Sequence, residues 1–164
     1  MTAELLIPGD LPWFPVLLDA TGEHFVPPGI VAFPRGFAFG HDGRLFLASG
    51  IGPNGESDPD LSPLDLAIAP NGNVVVSSEH PFGASDAVTS VREYDTTDGH
   101  LVRVFSPTKL AEFRKPRGLR FGPDGHLYCV AQNAVVAFDF TKGTCLGTPV
   151  QFQRLNGQAL AFFP

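Results

Sequence analysis

Residues 115–129, KPRGLRFGPDGHLYC, contain a short apolar strand, an Asp-Gly pair and a second apolar strand. The same pattern occurs without gaps in residues 33–47 (FPRGFAFGHDGRLFL) and 62–76 (SPLDLAIAPNGNVVV). Asp-Gly and Asn-Gly are the strongest short-range signals for a β-hairpin, because a type I′ turn needs positive φ at both central positions. The sequence therefore predicts three hairpins, with turns at Asp42-Gly43, Asn71-Gly72 and Asp124-Gly125.

Two further features extend this repeat. Residues 157–164 (GQALAFFP) match residues 116–123 and form a fourth, shorter copy, and the four copies begin at a mean spacing of 41 residues. A different hairpin alternates with them, in which a strand leads to an Asp that can cap a turn with its side chain, and then to a glycine. This second hairpin occurs in residues 16–22, 91–99 and 136–143, and one is missing after the first copy.

Four strands per unit, at a period of about 40–45 residues, are typical of β-propeller blades. The repeated pattern P-x-x-[LF]-x-[FI]-x-x-[DN]-G-x-[LV]-[YFV], followed by a [YF]-D-x-x-x-G strand end, resembles the NHL-repeat and SMP-30/gluconolactonase/LRE-like group of β-propellers over about residues 16–164. The resemblance implies an all-β, propeller-like fold of antiparallel four-stranded blades. About four blade equivalents, one incomplete, would form a single domain over residues 1–164, with residues 1–15 as an extension.

The composition agrees with an all-β protein rich in turns. The chain has 18 Gly and 16 Pro, 43% hydrophobic residues and only 17% charged residues, which excludes a disordered chain or a helical bundle. A net charge of −6 argues against nucleic acid or an anionic membrane as partner. Cys129 and Cys145 lack the spacing of a zinc site and are expected to be free, half-buried thiols.

We also expect a cytoplasmic protein. The N-terminal residues lack the basic region and the apolar run of a secretory signal, and no apolar segment is long enough to span a bilayer.

In a propeller, the first strand of each blade lines the central channel, so residues at the strand entries and exits meet at one mouth. This is where a ligand, a metal ion or an acid/base pair would be held. The repeats place the candidate binding residues at the entries, Arg35, Asp65, Arg117 and Gln158, and at the exits, Gln132 and Asn133.

Glu79 and His80 are candidates for catalysis, because a carboxylate beside an imidazole can bind a divalent cation or relay a proton. The alternative is a polar loop with ordinary hydrogen bonds, since neighbouring strand residues point to opposite faces. Enzymes of the SMP-30-like group hold a divalent metal with Glu, Asn and Asp side chains. No early glutamate matches that ligand position, so no metal residue is assigned, and Ca²⁺ or Mg²⁺ remains an open cofactor.

Two functions stay open at this point. The first is a propeller-type binding or scaffold protein that recognises a small molecule or a protein partner at the channel mouth or blade edges. The second is a divalent-metal-dependent lactonase, hydrolase or lyase, so whether the chain is an enzyme is undecided. The missing hairpin and the absent metal ligands favour the first function.

Two structural expectations follow from the repeat. The alternating apolar residues of the first strands should be buried between neighbouring blades; they are Phe37, Phe39, Leu66, Ile68, Leu119, Phe121, Leu160 and Phe162. Residues 44–48 should form an apolar edge that lacks an outer hairpin. Because exposed edges invite pairing, we expect a homodimer with Phe46 or its neighbours at the contact.

Overall fold

The structure is a computed structural model that describes residues 32–51, 63–80, 88–105, 113–151 and 157–163. These ranges contain β-strands and no helix, which confirms the all-β prediction. The strands are β1 (Ala32–Phe39), β2 (Leu45–Ile51), β3 (Pro63–Ile68), β4 (Val74–His80), β5 (Val88–Tyr94), β6 (Leu101–Phe105), β7 (Leu119–Phe121), β8 (Leu127–Val130), β9 (Ala134–Asp139) and β10 (Thr144–Gln151).

The strands form three antiparallel sheets, in which each strand pairs with its neighbour along the chain. Sheet 1 contains β1 and β2, sheet 2 has the order β3-β4-β5-β6, and sheet 3 has the order β7-β8-β9-β10. Within the described ranges sheet 1 has two strands. Residues 52–62, which follow β2, lie outside the described residues, so the missing outer hairpin of the first repeat stays a prediction. The hairpin expected at residues 16–22 lies outside the described residues.

The three Asx-Gly hairpins are confirmed, but their turns are not of type I′. The glycines have positive φ, 84° at Gly43, 89° at Gly72 and 77° at Gly125, whereas the preceding Asp or Asn residues do not. In the first turn the Gly43 amide donates to the Gly40 carbonyl at 3.0 Å. This is a type I turn closed by a left-handed glycine, and it differs from the expectation because the Asp or Asn needs no positive φ in it.

Side chains of the Asx residues explain why the turn is conserved among the repeats of this chain. Oδ1 of Asp42, Asn71 and Asp124 each accepts from the amide two residues later, at 3.1 Å in all three turns. The second hairpin type uses its Asp in the same way. The Thr97 amide donates to Asp95 Oδ1 at 2.7 Å, and the Lys142 amide donates to Asp139 Oδ1 at 2.9 Å, as the sequence predicted.

Sheet 2 lies between the other two sheets and shares one apolar cluster with each. On one face, Leu66, Val74, Val76 and Tyr94 pack with residues of sheet 1. On the other, β3, β4, β5 and β6 contribute Ala67, Val75, Val91 and Phe105 to a cluster with sheet 3. Because β4 is covered on both faces, it is apolar at consecutive positions rather than at alternate ones.

The predicted core of the first strands is only partly correct. Leu66 and Leu119 are fully buried, and Ile68 and Phe121 pack against the clusters. Phe37, Phe39 and Phe162 are 65%, 52% and 41% exposed, so their predicted burial is wrong. The reason is positional: β1 is the first strand of the described stack, and Phe37 and Phe39 face away from sheet 2. Leu160 is half-buried.

Phe46 is not available for the predicted dimer contact. Its side chain is 3% exposed and packs with Leu66, Val74 and Tyr94 of sheet 2. Arg44 lies over the Phe46 ring, 5.3 Å from its centroid, and also donates to the Thr96 carbonyl at 3.0 Å. The face of β2 that carries Phe46 is therefore covered by sheet 2 of the same chain, and the homodimer itself stays a prediction.

Both cysteines are free, as expected, but neither is half-buried. Cys129 lies in the core and Cys145 is exposed on β10, so burial raises the pKa of the Cys129 thiol well above its ordinary value. In the part of the chain that the structure describes, no helix could cross a membrane.

Candidate functional site

The first strands of the repeats enter their sheets through an irregularity at equivalent positions. The register shifts between Pro34 and Gly36 in β1, and between Pro63 and Asp65 in β3. Arg35 and Leu64 are thus the extra residues of β-bulges, which redirect side chains at the rim of a sheet.

The third repeat has the same arrangement just before β7. The Arg117 amide donates to the Val130 carbonyl, and the Val130 amide donates to the Gly118 carbonyl, both at 2.8 Å. Arg117 and Gly118 of the entering strand therefore both face Val130 of β8. Arg117 is thus the bulge residue of the third repeat, equivalent to Arg35 and Leu64.

These entries converge on one cavity of about 450 Å³. All four copies of the repeat contribute the same position to its wall, namely Arg35, Leu64, Arg117 and Gln158. Among the described residues, Asp65, Arg120 and Ala159 complete the lining.

The first strands can meet at the cavity because the position after the entry is glycine in the first and third repeats. A Cβ on Gly36 would lie 2.7 Å from the Cα of Asp65 and closer still to its carboxylate. A Cβ on Gly118 would lie 3.0 Å from the Cα of Ala159. Each glycine therefore admits the entering strand of the next repeat.

Asp65 holds two strands together at the cavity. Its Oδ2 accepts from the Leu119 amide at 2.9 Å and from Nη1 of Arg120 at 3.1 Å. Burial raises the pKa of this carboxyl, and the hydrogen bonds from Leu119, Leu66 and Arg120 only partly offset that effect. Its carboxylate is already engaged by protein donors and lies against a third strand at Gly36.

Arg35 and Arg117 are close enough to influence one another. Burial lowers the pKa of Arg35, the positive charge of Arg117 lowers it further, and the carboxylate of Glu79 opposes both effects. Two like charges that approach in this way repel one another, and an anion between them would relieve the repulsion.

Glu79 lies on β4 and its side chain is 2% exposed. Its Oε2 has no hydrogen-bond partner among the described residues. It does not line the cavity, although its charge reaches Arg35. His80 is the last residue of β4, and the prediction for its side chain lies outside the described residues.

The structure brings together four of the six candidate binding residues: Arg35, Asp65, Arg117 and Gln158. Gln132 and Asn133 lie in the turn between β8 and β9 and do not line this cavity. The main-chain N–H of Gln132 donates to the Arg114 carbonyl at 2.7 Å.

The sequence analysis missed Arg120, Leu64 and Ala159. For Arg120 a signal was present, because the equivalent position is alanine in the other three copies, Ala38, Ala67 and Ala161. Leu64 was missed because Asp65, one residue later, was taken as the entry position of the second repeat. Asp65 stands where the other copies have Gly36, Gly118 and Ala159.

A group of acidic residues lies elsewhere, in the turn between β5 and β6. Ligand atoms of Asp95, Asp98 and His100 lie within 4.8 Å of one another. Asp95 Oδ1 caps the turn, and Asp98 Oδ1 pairs with His100 Nδ1 at 2.6 Å, so both carboxylates already serve the turn.

The cavity wall offers mainly hydrogen-bond donors. Three guanidinium groups and the Gln158 amide surround one engaged carboxylate, so the wall suits a ligand with anionic oxygens. No protein-family model matches the chain, and comparison with curated proteins gives no significant match.

Proposed function

We propose that the chain is a propeller-type binding protein whose three sheets are blades and whose arginine-lined cavity takes a small molecule with a carboxylate or phosphate group. The four-stranded meanders, their face-to-face packing and the meeting of the first strands at one end support the propeller arrangement.

The observation that carries the ligand proposal is the convergence of Arg35, Arg117 and Arg120 on one cavity. Among the described residues, three arginines and one carboxylate line the cavity, and the carboxylate of Glu79 acts on Arg35 from outside the lining, in a protein whose net charge is −6. Guanidinium groups form paired hydrogen bonds with planar or tetrahedral oxyanions, which favours an oxyanion over a neutral ligand. Leu64 and Ala159 leave room for an apolar part of the same molecule.

The metal-dependent lactonase or lyase has less support. Three arginines repel a divalent cation, and the Asp65 carboxylate is held by the Leu119 amide and Arg120. Glu79 is enclosed and does not reach the cavity wall.

Calorimetric titration with malonate and with inorganic phosphate at low ionic strength tests the proposal. We expect saturable binding of at least one anion, and Arg35→Ala and Arg117→Ala should each weaken it roughly tenfold or more, the value of one charged hydrogen bond. Binding should also weaken with added salt. Comparing the two anions distinguishes a carboxylate from a phosphate preference.

Arg114→Ala is the matched control, because it removes the same charge from an exposed residue outside the cavity. Equal losses in all three variants would indicate a general charge effect and reject the site. Titration with Ca²⁺ or Mg²⁺ in the same buffer examines the alternative, which saturable cation binding would support.

A further inference from the structure

Two charged residues in the cavity wall stand at positions where the other copies of the repeat have glycine or alanine. The third residue of the copy is Asp65 in the second repeat, and it is Gly36, Gly118 and Ala159 in the others. The fifth residue is Arg120 in the third repeat, and it is Ala38, Ala67 and Ala161 in the others. The fold brings these two exceptions together, because Nη1 of Arg120 donates to Oδ2 of Asp65 at 3.1 Å.

Asp65 is held in place through both its backbone and its side chain. Its amide donates to Oγ of the buried Ser77 at 3.1 Å, and the same hydroxyl donates to its carbonyl at 3.3 Å. Oδ2 accepts from the Leu119 amide at 2.9 Å, and Gly36 lies so close to Oδ1 that a Cβ there would collide with it. The side chain is 13% exposed. Arg120 therefore pairs with a carboxylate that has little freedom to move.

The guanidinium of Arg120 is held through one of its three nitrogens. Nη1 donates to Asp65 and also to the Leu119 carbonyl, at 2.5 Å, so these two acceptors engage both of its hydrogens. Among the described residues, no acceptor contacts Nε or Nη2 of Arg120, and the side chain lines the cavity and is 45% exposed. Nε and Nη2 form one edge of the guanidinium, whose two parallel N–H groups match two oxygens of a carboxylate or phosphate.

We propose that Arg120 makes the orienting contact with the anion through its Nε–Nη2 edge, and that Asp65 is the positioning residue that holds this edge for the ligand. The proposal rests on the anion-binding function proposed above and names the residue that sets the direction of the ligand's oxyanion group. Arg35 and Arg117 add positive charge from the strand entries, while Arg120 is the arginine whose side chain is anchored on a neighbouring repeat.

A positioning role and a purely electrostatic role for Asp65 predict opposite changes in affinity. As a negative charge in an anion site, Asp65 opposes binding, so its removal should tighten binding. As the acceptor that orders Arg120, it reduces the entropy lost when that side chain is fixed on the ligand, so its removal should weaken binding. The ordering effect needs the guanidinium, and it should disappear in a chain that lacks Arg120.

Calorimetric titration at low ionic strength tests the contact of Arg120, with whichever of malonate and inorganic phosphate the parent chain binds more tightly. Arg120→Lys keeps the positive charge but loses the paired N–H groups, and we expect it to weaken binding roughly tenfold. Arg114→Lys is the matched control, because it makes the same change at an exposed residue outside the cavity and should leave the affinity unchanged. Equal affinities of Arg120→Lys and the parent would overturn the proposal, because charge alone would then be sufficient.

A double-mutant cycle tests the role of Asp65. Asp65→Ala introduces the residue that the fourth repeat has at this position, and we expect it to weaken binding about threefold or more when Arg120 is present. In the Arg120→Ala chain the same change should leave binding unchanged or tighter. Tighter binding in the chain with Arg120 would show that Asp65 is only an opposing charge, and equal weakening in both chains would show a general disturbance of the site. Either result would overturn the proposal.

Urea unfolding of each variant verifies that the fold is retained. Asp65→Asn, which keeps the size of the side chain and one oxygen acceptor, replaces Asp65→Ala in the cycle if that chain does not fold. A parent chain that binds neither anion would overturn the proposed function together with this proposal. Saturable binding that depends on Arg35 and Arg117 but is unaffected by Arg120→Lys would overturn this proposal alone.

Discussion

Glu93 ties a turn of sheet 2 to the outer strand of that sheet. Its side chain is 1% exposed, and Oε1 accepts from the side-chain amides of Asn71 at 2.8 Å and Asn73 at 2.7 Å. Oε2 accepts from Nε of Arg103 at 2.5 Å. Burial alone would raise the pKa of Glu93, but these hydrogen bonds outweigh burial and lower it.

We expect Glu93→Gln to reduce the free energy of unfolding by about 1–3 kcal/mol at pH 7, because Arg103 loses its charged partner. The folded pKa lies below the ordinary value of 4.5, so ionised Glu93 stabilises the fold above that pH. This contribution is lost as the pH falls through the depressed pKa, and the difference between variant and parent should shrink there. Denaturant unfolding from pH 7 to pH 3 measures this trend.

Asp98→Asn is the control for that experiment. Its carboxylate also has a lowered pKa, from the amide and ring of His100, but it is exposed to solvent. We expect a clearly smaller loss than for Glu93→Gln. Equal losses of unfolding free energy in the two variants would mean that burial of the hydrogen bonds around Glu93 does not add to stability.

Gly36 is the residue at which two repeats approach most closely at the cavity. Because the added methyl group would meet both the Cα and the carboxylate of Asp65, Gly36→Ala should force β1 and β3 apart and cost about 1–3 kcal/mol. Gly43→Ala has open space around its Cβ but a φ of 84°, so it carries only the backbone strain of about 1 kcal/mol. Only Gly36→Ala should also weaken anion binding, measured by calorimetry beside the unfolding free energies.

At the scale of elements, β9 shows how sheet 3 is anchored. Every residue of β9 is buried, and the Phe138 ring makes edge contacts with Phe105 of sheet 2 and with Phe113. Phe121 on β7 is half-buried and packs at the edge of the cluster, with its ring 5.1 Å from that of Phe140 between centroids. The Phe138 ring is therefore fully buried in the core, whereas part of the Phe121 ring is exposed to solvent.

We expect Phe138→Ala to cost about 3–5 kcal/mol, the usual value for a buried phenylalanine. Phe121→Ala should cost less, about 1–3 kcal/mol, because part of its ring already faces solvent. Urea unfolding at one pH measures both, with an unchanged m-value as the sign that the folded state is intact. A larger loss at Phe121 would contradict the observed burial.

The hairpins could be predicted from the sequence because their signals are local. An Asp or Asn that is followed by glycine and accepts from the amide two residues later forms the turn at Asp42, Asn71 and Asp124. In the second hairpin type, Asp95 accepts from the amide two residues later and Asp139 from the amide three residues later. The exposure of Phe37 and Phe39 could not be predicted in this way. It depends on which sheet lies beyond β1, and that is a tertiary fact that alternation within a strand does not contain.

Part of the cavity wall could be predicted because the repeats align equivalent residues. The repeat aligned Arg35, Arg117 and Gln158 at one position, and these three residues line one cavity in the structure. The placement of Asp65 in the wall depends on a bulge before it, which shifts the register by one residue and leaves little trace in sequence. The turn residues Gln132 and Asn133 follow β8 but do not line the cavity. Their position at the end of a strand did not determine the direction in which the turn leaves the sheet.

Across the whole molecule, the two apolar clusters join the sheets in series. Sheet 2 belongs to both clusters, so the apolar packing of sheets 1 and 3 runs through sheet 2 among the described residues. In such a stack stability is the sum of the units and their junctions, and terminal units open first. Sheet 1 has one junction in the described structure and an exposed face at Phe37 and Phe39.

We therefore expect amide hydrogen exchange to rank the strands by position in the stack. The slowest amides should be those of β4 and β9, whose residues are buried on both faces, and the fastest strand amides those of β1 and the exposed edge β10. Mass spectrometry of exchanged peptides measures this ranking at one pH and one protein concentration. Amides of β1 that exchange as slowly as those of β9 would contradict it, since β1 would then be as well protected as the strand whose residues are all buried.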